Sequence, residues 1–348
     1  MAYTTIDKPS DYFNTVLYTG NGSTQSITGV GFQPDFTWLK SRNNAYDHFL
    51  YDAVRGQGKY LQSNKDYVEA DTDQMTSFDS DGYTVGVTGG VATNGSGSTM
   101  ASWNWKAGTS FTNDASATGI GTIDSTGSVN TDAGFSIISY TGNATTNAKV
   151  AHGLGVAPSM MIVKKRNGAF NWGIYHKSLT AHKLLAFTTG APDDDASYWN
   201  DVEPTSSVFN LGSGALTNGS GSTMIAYCFA EKQGYSKFGS YTGNGNADGT
   251  FVYTGFKPAW VMIKATAQNA SWTILDNKRN TFNVMGKGLF ADDSGAEYDY
   301  TDRRDFLSNG FKIRNTSSAE NYSANTYIYM AFAENPFTTS TGVPATAR

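Results

Sequence analysis

A four-residue motif that occurs three times constrains the fold of this chain more than any other feature of its sequence. The motif reads Tyr-Thr-Gly-Asn and begins at Tyr18, Tyr140 and Tyr241. In each copy a Gly and a Pro follow, and then a strand-like run that ends in a lysine, at Lys40, Lys164 and Lys264. Solenoid repeats are about 20–50 residues long, whereas a unit of about 100 residues can enclose its own hydrophobic core. The spacing therefore predicts three tandem domains.

Two further kinds of segment recur, and both are typical of antiparallel sheets. Each copy ends in a run with apolar side chains on both faces (residues 101–105, 225–229 and 327–332), which predicts strands buried between two layers. The first and third copies also contain Asp81-Gly82 and Asn309-Gly310 between alternating apolar residues. Because Asp, Asn and Gly tolerate positive φ, these dipeptides predict β-hairpins.

The predicted fold is all-β, with three tandem copies of an antiparallel β-sandwich of the jelly-roll or concanavalin-like kind. No long segment has the 3.6-residue period of an α-helix. We expect the chain to divide into a first copy with a short N-terminal segment at 1–107, a linker or loop rich in Gly, Ser and Thr at 108–134, a second copy at 135–234, a third copy at 235–337 and an extended tail at 338–348.

The composition of the chain excludes several classes of protein. Aromatic residues make up 14% of the sequence and charged residues 16%, and such a high aromatic content argues against disorder. The formal net charge of −5 provides no basic surface, so we do not expect nucleic acid as a partner. The single cysteine, Cys228, excludes an intramolecular disulfide and is expected to be buried. We expect no signal peptide and no insertion into a membrane.

The recurring segments resemble a family of uncharacterised, repeat-containing proteins encoded by marine tailed phages, notably phages of cyanobacteria. The resemblance covers nearly the whole chain. It rests on the segments Tyr18-Thr19-Gly20-Asn21-Gly22, Pro34-Asp35-Phe36-Thr37-Trp38-Leu39-Lys40, Tyr51-Asp52-Ala53-Val54-Arg55-Gly56, Phe78-Asp79-Ser80-Asp81-Gly82, Trp103-Asn104-Trp105-Lys106-Ala107-Gly108, His152-Gly153-Leu154-Gly155-Val156-Ala157-Pro158, Tyr198-Trp199-Asn200-Asp201 and Phe238-Gly239-Ser240-Tyr241-Thr242-Gly243-Asn244-Gly245.

This resemblance implies a structural protein of the virion, exposed on the particle as a tail fibre, a tail-associated adhesin or a capsid decoration. It brings no catalytic residues to this sequence. The expected partners are other virion proteins, host surface polysaccharide and further copies of the chain, with a homotrimer favoured because phage fibres are commonly trimeric and closed symmetry is usual. The tail at 338–348 would then lie across a neighbouring subunit. A glycan-cleaving, tail-associated enzyme is the alternative function.

Aromatic and polar side chains near the predicted loops indicate where a polysaccharide would bind. Sugar C–H groups stack on aromatic faces, while Asn and Asp fix sugar hydroxyls. The candidate residues are Tyr51, Arg55, Trp199, Asn200, Asp201 and Trp272. Packing of these rings in a core or an oligomer interface is the competing interpretation. Asp52 with Arg55 and Asp276 with Arg279 have the same spacing, which also predicts a structural ion pair in the first and third copies.

No pattern in the sequence predicts a catalytic centre, a metal site or a cofactor site. The clustered carboxylates lack the spacing of a calcium loop, so we interpret them as solvated loops, with weak calcium binding or a glycosidase pair as alternatives. These carboxylates are Asp71, Asp73, Asp193, Asp194, Asp195, Asp292 and Asp293. The four histidines, His48, His152, His176 and His182, have no zinc-ligand spacing. His176 stands where the other copies have Asp52 and Asp276, and no serine or cysteine nucleophile accompanies it.

Overall fold

Short antiparallel β-strands are the main regular structure of this protein. The computed structural model describes residues 2–86 and 91–345. The helices among these residues are single turns: α1 (Val91–Asn94), α2 (Ala115–Thr118), α3 (Ala196–Trp199), α4 (Ala215–Asn218) and a 3-10 helix at Pro9–Asp11. No helix in this part of the chain is both long and apolar enough to cross a membrane. The predicted all-β class is confirmed.

The strands fall into three consecutive groups along the chain. The first contains β1 (Phe13–Thr19), β2 (Gln25–Thr28), β3 (Phe36–Ser41), β4 (Phe49–Asp52), β5 (Lys59–Leu61), β6 (Ala70–Asp71), β7 (Met75–Asp79), β8 (Gly82–Val85) and β9 (Thr99–Trp105). The second contains β10 (Thr109–Asn113), β11 (Ser125–Asn130), β12 (Phe135–Thr141), β13 (Ala148–Ala151), β14 (Met160–Lys165), β15 (Gly173–His176), β16 (Lys183–Leu184), β17 (Asp193–Asp194), β18 (Val208–Leu211) and β19 (Thr223–Phe229). The third contains β20 (Ser236–Thr242), β21 (Phe251–Tyr253), β22 (Phe256–Ala265), β23 (Thr273–Asp276), β24 (Met285–Phe290), β25 (Tyr298–Leu307), β26 (Gly310–Ile313) and β27 (Thr326–Pro336).

One four-stranded order recurs in the three groups, which we call the first, second and third units. It is β1-β9-β3-β4 in the first unit, β12-β19-β14-β15 in the second and β20-β27-β22-β23 in the third. The registers agree as well, because Thr19 pairs with Thr99, Thr141 with Thr223 and Thr242 with Thr326. The strands β9, β19 and β27, predicted to be buried on both faces, are buried along most of their length.

The three four-stranded sheets face one another around a common hydrophobic core, to which all three units contribute. At its centre lie Trp105, Phe229 and Phe332, which occupy equivalent positions on β9, β19 and β27. Their ring centroids form a triangle with sides of 6.3, 5.6 and 6.1 Å. The units are therefore related by an approximate threefold axis that runs through the middle of a single chain.

The opposite face of each sheet packs against a second layer and encloses a core that belongs to that unit alone. In the first unit this layer is the small sheet β2-β8-β7, and in the second it includes the pair β13-β18. In the third unit the layers are joined in one continuous sheet, β20-β27-β22-β23-β24-β25-β26-β21. Each four-stranded sheet thus has one apolar face turned towards the common core and another turned towards the core of its own unit.

The segment predicted to be a linker, residues 108–134, differs from that expectation. β10 and β11 pair with each other, and β11 pairs with β12, so this segment extends the sheet of the second unit. A Cβ on Gly127 would lie 1.8 Å from the carbonyl oxygen of Ile137, so glycine permits the close approach of the two strands. β10 is the edge strand of this sheet and β11 is its neighbour, and both contain few large apolar residues.

The structure contains the predicted hairpins, whereas the C-terminal tail lies in a different place from the one predicted. The hairpins predicted at Asp81-Gly82 and Asn309-Gly310 are confirmed: two-residue turns, Ser80-Asp81 and Ser308-Asn309, connect β7 to β8 and β25 to β26, and each glycine begins the second strand. The tail, predicted to lie across a neighbour, folds back on its own chain as far as it is described. The Ser340 amide donates to the Asp7 carboxylate at 2.6 Å. Residues 346–348 lie outside the described residues.

Candidate functional site

The Tyr-Thr-Gly-Asn motif fastens the first strand of each four-stranded sheet (β1, β12 and β20) to the turn before the last strand of that unit. In the first unit, the Tyr18 hydroxyl donates to the Thr93 carbonyl at 2.6 Å, and the Asn21 amide donates to Oδ1 of the buried Asn94 at 3.2 Å. Equivalent contacts join Tyr140 to Thr217, Asn143 to Asn218, Tyr241 to Glu320 and Asn244 to Asn321. The motif is therefore structural in all three units.

The glycine of this motif is required by a close approach of two backbones. A Cβ on Gly20 would lie 2.4 Å from the carbonyl oxygen of Gly95. The equivalent distances are 2.5 Å for Gly142 and 2.4 Å for Gly243. These contacts are too short for any side chain, so the recurrence of glycine needs no ligand to explain it.

Three buried lysines connect the units in a closed ring. Lys40, Lys164 and Lys264 occupy equivalent positions, and each donates from Nζ to a backbone carbonyl of the preceding unit in cyclic order. The acceptors are Ser294 at 3.1 Å, Asp66 at 2.9 Å and Thr189 at 2.8 Å, respectively. Burial lowers the pKa of each lysine to about 8. Their amines are occupied by these contacts, which explains why a lysine ends this strand in every unit.

A second ring of hydrogen bonds follows the same cyclic order. His48, Trp172 and Trp272 occupy equivalent positions, and each directs a ring nitrogen to a carbonyl of the preceding unit. These contacts are His48 Nε2 to Phe290 at 2.9 Å, Trp172 Nε1 to Gln62 at 2.9 Å and Trp272 Nε1 to Ala186 at 2.8 Å. The ring nitrogens therefore seal the junctions between the units.

The predicted ion pairs are confirmed, and both also reach the following unit. Arg279 Nε contacts Asp276 Oδ2 at 2.5 Å, and Arg55 contacts Asp52 in the same way, with all four side chains buried. Asp52 accepts a hydrogen bond from the Tyr227 hydroxyl at 2.6 Å, while Asp276 accepts one from Trp103 Nε1 at 3.0 Å. These four buried charged side chains are thus committed to the junctions.

His176 takes the equivalent position in the second unit. Its Nε2 donates to the Tyr329 carbonyl of the third unit at 3.1 Å, and its Nδ1 accepts from the Ser178 amide at 3.2 Å. Burial lowers its pKa to about 4. The side chain is therefore a neutral link between units, which accounts for its occurrence in one copy alone.

The six candidate glycan-binding residues do not come together. Tyr51, Arg55, Trp199 and Trp272 are exposed by 0, 4, 1 and 2%, respectively, and they are distributed over three units. Rings that are buried to this extent present no face to a sugar. Asn200 and Asp201 do reach the surface, where Asp201 lies 3.1 Å from His182. The six predicted residues therefore do not form a glycan-binding surface together.

Cys228 and several of the clustered carboxylates are also accounted for by the structure. Cys228 is buried, as predicted, and burial raises the pKa of its thiol to about 12. Asp194 contacts Lys183 at 2.8 Å, Asp195 caps α3, and Asp292 accepts from the Trp272 amide at 2.8 Å. Within residues 2–86 and 91–345, no group of three or more His, Cys, Asp or Glu side chains could hold a metal ion.

A groove in the third unit was not among the sequence-based candidates. It has a volume of about 400 Å³, lies beside the loop between β23 and β24, and we call it the 277–284 groove. The residues that line it include Lys257, Asn277, Lys278, Asn280, Phe282 and Glu334. The loop covers eight residues (277–284), whereas its counterparts in the other units cover six (53–58 and 177–182). This extra length was the signal that sequence reasoning missed.

The chain is an all-β protein in which three sheet-forming units surround one core. Residues 8–336 match the sequence model of a family described as a domain of unknown function (DUF7483). Because the match covers most of the chain, the protein belongs to this family. No curated protein and no solved structure matches the chain significantly.

Proposed function

We propose that this chain is a non-catalytic structural protein on the surface of a virus particle, where it contacts glycans of the host. The observation that supports this proposal most strongly is that the buried polar side chains bind to neighbouring units. Three lysines, two Asp–Arg pairs and His176 all connect one unit to another. Side chains that are held in this way serve rigidity and are not free for chemistry.

The virion context comes from the resemblance to marine phage proteins described above. We further propose that the three units are tandem copies of one sandwich, which fits their common strand order. A homotrimer and contacts with other virion proteins stay predictions. The closed threefold arrangement within one chain means that a single copy could also occupy a threefold-symmetric position on the particle.

The proposal is tested by combining two measurements. Mass spectrometry of purified particles should detect this chain, and its absence would overturn the virion assignment. The purified protein should then be mixed with surface polysaccharide from candidate hosts, while retention and new reducing ends are followed. Retention without cleavage is expected. New reducing ends would instead support the alternative, a glycan-cleaving enzyme, because glycosidases release a reducing end for each bond they hydrolyse.

A further inference from the structure

We infer that the 277–284 groove is a binding site for a carboxylated saccharide. This inference deepens the proposed function, since glycan contact is part of that proposal, and it names the site and the class of sugar. A volume of about 400 Å³ is within the range of small-molecule sites, roughly 300–1,000 Å³. The groove also continues into a smaller recess that reaches Phe13, Asn14 and Thr15 of the first unit.

An exposed aromatic ring stands at this groove. Phe282 is 79% exposed, the largest value among the exposed large hydrophobic residues of the described chain. Hydrophobic side chains of this size are usually buried, because each buries about 150–250 Å² of surface on folding. The apolar C–H face of a pyranose ring is a suitable cover for it, because sugar hydroxyls at the ring edge remain free for polar contacts.

The charges that line the groove do not cancel. Lys257 and Glu334 form an ion pair at 2.8 Å. Lys278 is exposed and has no ion-pair partner among the described residues. The groove therefore carries one uncompensated ammonium group, which favours a ligand with a carboxylate over a neutral sugar.

A polar atom on the groove wall also lacks a partner. Asn277 lines both the groove and its recess, and its Oδ1 accepts no hydrogen bond from the described residues. The Oδ1 atom itself is buried, although the residue as a whole is partly exposed, so a ligand would have to turn this amide towards the groove. A sugar hydroxyl would satisfy this oxygen and remove the cost of an unpaired acceptor.

The loop of the first unit that corresponds to 277–284 also lines a cavity, of about 290 Å³, but the longer loop and the exposed phenyl ring are found in the third unit alone among the three equivalent loops. The equivalent loops carry Gly56-Gln57-Gly58 and Thr180-Ala181-His182, without an aromatic residue at their ends. The shared core does not require the additional residues of the third loop, because Phe282 points away from it into solvent. Binding of a ligand would explain why the third unit has a longer loop with an exposed phenylalanine.

Isothermal titration calorimetry of the full chain with hexameric oligogalacturonate tests the inference. The wild-type protein should bind it, and the carboxyl-reduced oligosaccharide should bind at least about tenfold more weakly. Phe282→Ala and Lys278→Met should each weaken binding of the acidic form by a similar factor. Phe170→Ala and Lys149→Met, which alter an exposed ring and a lysine in the second unit, serve as matched controls and should leave binding unchanged.

The outcomes separate this inference from the proposed function. If wild-type protein does not bind oligogalacturonate, or if Phe282→Ala binds it normally, the groove assignment is overturned. Equal binding of the carboxyl-reduced form would overturn the role of the charge. Retention of the Phe282→Ala variant on host polysaccharide would leave the proposed function intact and place its glycan contact outside the groove.

Discussion

Three histidines of this protein are held in the same neutral form by their neighbours. In His48, Nδ1 accepts a hydrogen bond from Trp38 Nε1 at 2.8 Å, and Nδ1 of His152 and His176 each accepts from a backbone amide at 3.2 Å. An N–H group can only donate, so each Nδ1 carries no proton and each Nε2 donates to a carbonyl. Protonation would destroy one hydrogen bond in each case and place a charge in the interior.

This arrangement makes the protein sensitive to mild acid. Burial lowers the pKa of His152 and His176 to about 4 and that of His48 well below its usual value. Between about pH 6.5 and pH 4 the unfolded chain therefore binds protons that the native chain excludes, and the free energy of unfolding falls as the pH falls. Urea denaturation at several pH values should show this loss, with His176 contributing on the order of 3 kcal/mol by pH 4.

A single substitution isolates the contribution of His176. His176→Gln should flatten the dependence of the urea midpoint on pH between about pH 6.5 and pH 4. His182→Gln removes an exposed imidazole and serves as the control. Asp35, whose pKa is raised to about 6 by burial, adds stability as the pH falls and so opposes the histidines, but it is present in both variants and cancels in their comparison. An unchanged slope in His176→Gln would contradict the assignment.

At the scale of the element, the equivalent strands β4, β15 and β23 end in different residues that all form a hydrogen bond with the next unit. At the end of β4 and β23 an aspartate pairs with an arginine three residues later, whereas β15 ends in His176 and has Leu179 at the arginine position. The histidine is neutral and needs no counter-ion, so a leucine is compatible with it. The residues at these two positions are therefore coupled, and we expect that they can be exchanged only together.

Transplanting this pair tests the coupling. Asp276→Ala removes the principal partner of buried Arg279 and should cost on the order of 3 kcal/mol in the free energy of unfolding. The double variant Asp276→His with Arg279→Leu copies the second unit and should cost clearly less, because no buried charge is left unpaired. Guanidinium denaturation of both variants measures the difference. A double variant that is less stable than Asp276→Ala would contradict this interpretation.

Some elements could be read from the sequence and others could not. A run rich in apolar side chains identifies β9, turn residues identify the β25–β26 hairpin, and a recurring spacing identifies the Asp–Arg pairs, because all three features depend on neighbours along the chain. β10 and β11 were missed because they contain few apolar residues: β10 is an edge strand, and β11 is held by backbone pairing on both sides. The burial of Trp199 and the position of Phe282 depend on which loops meet in space, and a single sequence does not contain that information.

At the scale of the whole molecule, the sequence predicted three domains that each enclose a core, and the structure adds a core that belongs to all of them. Phe229 contacts Trp105 and Phe332 from the other two units, and it also stacks on Phe135 of its own unit at 4.7 Å. An isolated unit would expose the inward face of its sheet to water. The free energy of each unit is thus tied to the presence of the others.

Unfolding should consequently be a single cooperative transition. Scanning calorimetry is expected to give one peak whose calorimetric and van't Hoff enthalpies agree, and residues 135–234 expressed alone should not fold stably. Phe229→Ala should cost about 3–5 kcal/mol and lower the single transition temperature without splitting the peak. Phe209→Ala, a change in the separate core of the second unit, is the comparison. Cooperative unfolding of the whole chain requires that the inward faces of the three sheets stabilise one another. Three resolved transitions, or a stably folded fragment, would therefore show that each unit is stabilised by its own core and that the shared core contributes little.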